Sequence, residues 1–262
     1  MSELLPTFVP PAESWSGAGL GGRQILIVGA SGALGRACAL AAADHGASVV
    51  LLGRRVASLE KLYDEIEALG APQPAIYPMN LEGATPTDYA ELGNRIVDGC
   101  GRLDGVVCAA GRLHGLTPIE HFEPEEWLRT LQVGVNAPFL LLQSLLPALK
   151  ASIAQPKVMF FLDDIERATR PYWGAYGVAQ AALRALIGMA AGEWSEQGVA
   201  VMGVQPAPLA SAFRRKALLG ESAEGLVAPA RYAELATWLL AHAPSEWTGA
   251  LIDGRNLPAV AN

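Results

Sequence analysis

Basic residues are scarce in this chain. Its 19 Lys and Arg stand against 26 Asp and Glu, for a net charge of −7. No basic run is longer than Arg54-Arg55 or Arg214-Arg215-Lys216, too little to neutralise a row of phosphates, so no nucleic-acid partner is expected. Cysteine is scarcer still. Cys38, Cys100 and Cys108 are odd in number and match no metal-ligand spacing, which fits buried apolar thiols in a reducing cytoplasm. The four histidines, His45, His114, His121 and His242, are scattered without HxxxH or HExxH spacing, so no metal site is expected. Long apolar runs are missing as well. The most apolar stretch, Phe139 to Leu149, is broken by Gln143 and Pro147 and is shorter than a bilayer span, so no membrane partner is expected. Residues 1–20 lack a basic segment leading into an apolar one. They are rich in Pro and Gly and are expected to form an irregular arm instead of a signal peptide.

Charged residues make up only 17% of the chain and hydrophobic residues 51%. That balance suits a sheet covered on both faces. Short apolar runs at 25–28, 48–52, 75–79, 103–109, 158–162, 199–204 and 250–252 alternate with amphipathic segments at 33–45, 56–69, 87–100, 124–151, 176–197 and 230–243. In the second of these, Val56, Leu59, Leu62, Ile66 and Leu69 recur at helical spacing, and Gly70 closes it. Strict alternation predicts an α/β fold: one doubly wound Rossmann-type domain over 21–262, with seven mostly parallel strands and helices on both faces. Pro138 and Pro147 are expected to bend the long helix.

The first strand–helix turn reads Val28-Gly29-Ala30-Ser31-Gly32-Ala33-Leu34-Gly35-Arg36. Small residues here let backbone N–H groups approach a pyrophosphate, and the helix N-terminus adds a favourable partial charge. A tight turn without a ligand has the same composition. The second strand ends Gly53-Arg54-Arg55, with no carboxylate for a ribose hydroxyl. Arg54, with Arg36 or Arg55, is expected to pair with a 2′-phosphate, which favours NADP(H). Solvated surface arginines are the alternative.

On these residues the chain resembles the short-chain dehydrogenase/reductase family over about 21–257. The likeness is carried further by Leu103-Asp104-Gly105-Val106-Val107 leading to Ala109-Ala110-Gly111, by Val133-Gly134-Val135-Asn136-Ala137 after Trp127, by Trp173-Gly174-Ala175-Tyr176, and by Trp247-Thr248-Gly249. Within the family it is most similar to the bacterial YciK-like branch. The resemblance implies that Asn80, Leu81, Ala109, Ala110, Gly111 and Ser211 join the turn residues around the cofactor. It implies a substrate-covering region at 208–228, whose Ala and Leu suggest an apolar lid suited to a small apolar carbonyl or alcohol, or equally a partner-facing surface. It also implies oligomers, often built through the long helices: a homodimer or homotetramer, or a hetero-oligomer with an active homologue.

The family's catalytic pattern is a tyrosine, a lysine four residues later, a serine thirteen before, and an asparagine on the long helix. Tyr176 fits the first. The other positions hold Gln180, Asp163 and Gly134. A free phenol titrates near pH 10, and bringing it to neutral pH takes roughly 4 kcal/mol of differential stabilisation. Gln180 brings no charge, and an ionised Asp163 pushes the wrong way. Arg184 lies two turns beyond Tyr176, about 12 Å along the helix axis, a poor substitute. Beside a plain structural protein without any cofactor, two expectations follow. One is a catalytically degenerate, NADP(H)-binding member that serves as a partner subunit or a cofactor-responsive module. The other is an oxidoreductase with a non-standard site in which Tyr176 works with a protonated Asp163, kept neutral by burial and by the adjacent Asp164.

Overall fold

A computed structural model describes residues 5–10, 19–222 and 224–257. The arm expected at 1–20 lies partly outside these residues. Eight strands form one sheet: β1 (Thr7–Phe8), β2 (Gln24–Val28), β3 (Ser48–Gly53), β4 (Ala75–Pro78), β5 (Gly105–Cys108), β6 (Lys157–Phe161), β7 (Ala200–Pro206) and β8 (Leu251–Gly254). Their order is β1-β8-β7-β6-β5-β2-β3-β4, and every pairing is parallel. The count exceeds the expected seven by β1. The arm is therefore not irregular throughout, since Thr7 and Phe8 lie beside Leu251 and Ile252. The stacked rings of Phe8 and Trp247, 5.6 Å apart, hold it against the sheet edge.

The sheet's inner strands are buried nearly throughout, because helices cover both faces. On one side α1 (Ala33–Asp44), α2 (Val56–Ala68) and α9 (Pro229–His242) pack through Ala39, Leu59, Leu62, Tyr232 and Leu239. On the other, α3 (Pro86–Cys100), α5 (Ala137–Lys150) and α7 (Gly174–Trp194) pack through Leu92, Ile96, Leu141, Leu145, Leu183 and Ile187. Helix α3 starts sharply. Pro86 follows Thr85, and the Asp88 carboxylate accepts both the Thr85 N–H (2.7 Å) and its hydroxyl (2.8 Å).

The segment expected as one long helix is α4 (Pro124–Leu131), a single π-helical turn over Gln132–Asn136, and α5. Together they run 27 residues, Pro124–Lys150, long and apolar enough by length and composition to cross a membrane. The span is thus longer than the run from Phe139 to Leu149 suggests. In this fold its buried side chains, among them Leu141, Leu142, Leu145 and Leu149, belong to the core against the sheet.

Chain order reverses between β2 and β5, which are hydrogen-bonded neighbours although two strands and three helices separate them in sequence. The loops leaving the ends of these strands diverge at that point, opening a crevice at the sheet's carboxyl edge.

Candidate functional site

A cleft of about 510 Å³ occupies that crevice. Gly29 makes its floor possible. Its φ is +84°, and a side chain there would meet the Ala110 backbone nitrogen at 2.8 Å, so the turns after β2 and β5 touch through backbone. Gly35 packs directly on the Gly29 carbonyl. It supports the turn from below and does not line the cleft. Gly32 is the N-cap of α1 with extended backbone and no side-chain cap bond, and the first turn of α1 carries no acidic residue. The helix thus begins with backbone N–H groups that no side chain neutralises.

Most of the other expected residues meet here. Ser31, Gly32, Ala33, Leu34, Arg54, Arg55, Asn80, Leu81, Ala109, Ala110, Gly111, Ser211, Asp163 and Tyr176 all line the cleft. Arg36 does not. Its guanidinium turns to Glu65 on α2, because its place on α1 faces the neighbouring helix. Arg55 leans on the Ser31 carbonyl at 3.4 Å. Asn80 accepts the Glu82 N–H through its own side chain (3.3 Å), and the Ser211 hydroxyl oxygen caps α8 (Ala212–Ala217) by accepting the Arg214 N–H (3.1 Å).

At the other end lies the tyrosine. Asp164 begins a short helix, α6 (Ile165–Ala168), its side chain accepting the Glu166 and Arg167 N–H groups. That turn carries Arg167 back over Asp163. Asp163 Oδ1 accepts from Arg167 and from the Asp164 N–H (2.7 Å), and Oδ2 accepts the Tyr176 hydroxyl at 3.0 Å. Gln180 Oε1 accepts the Asp163 N–H at 2.7 Å. Buried Arg184 donates to the Asp163 carbonyl (2.6 Å) and to Gln205 (3.1 Å). It braces the loop and does not reach the phenol.

This geometry puts the Asp163 carboxyl in direct contact with the Tyr176 hydroxyl. A carboxyl that faces a guanidinium, an amide N–H and a phenol is placed as an acceptor. Asp164, expected to help keep it neutral, is spent capping α6 and meeting Arg255 at 3.5 Å. Tyr176 is buried, and its phenol is pushed well above its ordinary range, first by burial and then by the Asp163 charge and hydrogen bond. Arg167 and Arg184 pull in the opposite direction by less. The phenol keeps its proton at neutral pH.

The asparagine position, Gly134, lies within the π-helical turn. A Cβ there would come within 2.7 Å of Ala179 Cβ on α7, so the two helices meet at a contact only glycine allows. Asn136 spends its amide on Gln132 (2.9 Å).

Three cleft arginines escaped the sequence reading: Arg112, Arg167 and Arg214. Arg112 pairs with Glu82 (3.0 Å) and Glu126. Arg214 makes a two-pronged pair with Glu221 (2.6 and 2.5 Å). That hydrogen bond is the main reason the Glu221 carboxyl sits below its ordinary range. Of the segment expected to cover the site, Pro208, Leu209 and residues 211–214 line the cleft, and α8 brings the Phe213 ring within 5.7 Å of Tyr176. The charged side chains lining the cleft are Arg54, Arg55, Arg112, Arg167 and Arg214 against Glu82 and Asp163. This is a positive cleft in an acidic protein. The thiols lie elsewhere: burial pushes Cys38 up to about 12 and raises Cys108. Among the described residues no group of three or more His, Cys, Asp or Glu is placed to hold a metal.

Comparison with known proteins agrees with this architecture. The family model described as short chain dehydrogenase matches residues 23–221. The uncharacterized oxidoreductase YciK of Escherichia coli (strain K12) is 33% identical over 236 residues, covering 90% of this chain and 93% of that protein. The solved structure of an oxidoreductase, yciK from E. coli, superposes with a TM-score of 0.86 at 32% identity, covering 95% and 99% of the two chains. A protein from Shigella flexneri 2a str. 301, solved in complex with NADP, gives 0.86 at 33% identity, with 90% and 98% covered.

Proposed function

Because the chain belongs to the short-chain dehydrogenase family, we propose that it binds NADP(H) along this cleft and acts as a cofactor-responsive member with strongly attenuated hydride-transfer chemistry. The residues fit the cofactor. The uncapped start of α1 and the close approach at Gly29 suit a pyrophosphate. Arg54 stands at the end of β3, where a carboxylate is absent, free of ion pairs among the described residues, and suits a 2′-phosphate. Relatives of solved structure carry NADP or NADPH. When bound, the nicotinamide donates or accepts a hydride.

One observation carries the attenuated chemistry: the Tyr176 hydroxyl is committed to Asp163 at 3.0 Å, with a neutral amide, Gln180, where a cation is expected. A carboxylate beside the phenol disfavours the phenolate. It also opposes the negative charge that develops on a carbonyl oxygen during reduction. The chain then serves through binding, as a partner subunit of an active homologue or in its own homo-oligomer in the cytoplasm. Exposed Leu128, Phe139, Val178 and Met189 on α4, α5 and α7 supply apolar surface for such a contact. Steady-state NADPH oxidation against a panel of aldehydes and ketones tests the proposal. Turnover near background is expected, and robust turnover abolished by Tyr176→Phe contradicts it.

The same contact favours a second reading, an active oxidoreductase working toward oxidation. In it an alcohol's proton passes to the Tyr176 oxygen as the phenol's own proton passes to Asp163. NADP⁺-dependent oxidation lost in Asp163→Asn distinguishes this reading from the first.

A further inference from the structure

The end of the cleft around Tyr176 combines arginines with aromatic rings. Arg112 after β5, Arg167 on α6 and Arg214 on α8 line it from three separate segments, each paired with a carboxylate: Arg112 with Glu82 and Glu126, Arg167 with Asp163, and Arg214 with Glu221. The Nε–H groups of Arg112 and Arg167 are shielded from solvent and have no acceptor. A donor left in that state favours any acceptor that reaches it. Arg167 spends one Nη on Asp163, lies 5.8 Å over the Trp173 ring, and leaves 23% of its side chain open. Arg214 is held by Glu221 from the same segment, 208–228. Aromatic rings form the wall beside them: Trp173 to Tyr176 and Tyr176 to Phe213 are each 5.7 Å between centroids.

We infer that this end of the cleft binds an aromatic carboxylate, its ring against Trp173, Tyr176 and Phe213 and its charge on Arg167, with Arg214 exchanging Glu221 for the ligand. The inference rests on the cleft being the cofactor site proposed above, and it narrows the small apolar ligand suggested by the covering segment. Guanidinium against carboxylate gives two parallel N–H···O bonds, which a neutral amide of the same shape cannot accept.

The test is calorimetric titration of the intact protein with benzoate and 2-naphthoate, and with benzamide and 2-naphthamide as neutral partners, with and without saturating NADP⁺. Both carboxylates are expected to bind at least tenfold more tightly than their amides. Arg167→Met is expected to erase that difference, and Arg167→Lys to restore part of it. Arg214→Met, which leaves the Asp163 network intact, is expected to weaken both carboxylates. The inference is overturned if amides and carboxylates bind alike, if neither carboxylate binds, or if both arginine variants keep wild-type affinity. NADPH titrated alone reports separately on the cofactor proposal.

Discussion

Replacing Asp163 by Ser removes the carboxylate 3.0 Å from the Tyr176 hydroxyl and leaves Arg167 facing the phenol without its partner. Like charges about 4 Å apart at an effective dielectric of 20 repel by on the order of 4 kcal/mol. Even half of that, transmitted to the proton-transfer step, is about 2 kcal/mol, or roughly thirtyfold in rate. Adding Gln180→Lys supplies a cation from the same face of α7, one turn beyond Tyr176, and works in the same direction. The assay has two parts. Tyrosinate absorbance at 295 nm, read as wild type minus Tyr176→Phe, is expected to appear at lower pH in Asp163→Ser and lower again in the double variant. NADPH-dependent reduction of an aromatic aldehyde is expected to rise at least tenfold in the double variant. If the phenol titrates at the same pH in all three proteins, the electrostatic account of the site is wrong. If it moves and turnover does not, the phenol is not what limits the chemistry.

Three further outcomes follow from the structure. Lys157 is 4% exposed and pushed down to about 8, first by burial and then by Arg23. Its depressed value means that folding disfavours the charged form, so the penalty is absent above the unfolded value near 10.5, builds as pH falls from there and is complete below about 8. Lys157→Met is expected to stabilise the protein at pH 6–7 by up to about 3 kcal/mol in chemical denaturation, with the gain shrinking toward pH 10. The Leu240 carbonyl it leaves keeps its bond from Arg23 (2.7 Å), and a gain that does not change with pH contradicts the reasoning. Gly134→Asn, which restores a family side chain, is expected to cost about 1–3 kcal/mol by overpacking against Ala179, and adding Ala179→Gly should recover much of the loss of Tm. Arg36→Ala is expected to leave NADPH affinity unchanged, since Glu65 already holds that side chain. A tenfold loss would return Arg36 to the cofactor site.

The strands and helices were legible because period-2 and period-3.6 patterns and glycine stops report burial directly, as at Leu59, Leu62 and Ile66 of α2. β1 left no such trace, because two residues have no period and their strand depends on β8, more than 240 positions away. The turn around Gly29 could be read because its conformational demand is local. The directions of the Arg36 and Arg167 side chains could not, because each guanidinium is aimed by a tertiary partner: Glu65 on a neighbouring helix in one case, and a helix begun by the Asp164 cap in the other. Asp163 was found by its distance from Tyr176, but its ionic partner came from the fold.

The central claim is a live NADP(H) site in the cleft, and the most direct test is calorimetric titration of the purified protein with NADPH and with NADH. The account predicts saturable binding that prefers NADPH and is weakened about tenfold by Arg54→Ala, the loss of one charge-assisted phosphate contact. Absence of binding by either dinucleotide at millimolar concentration would contradict it, and would leave a fold whose role lies in its surfaces.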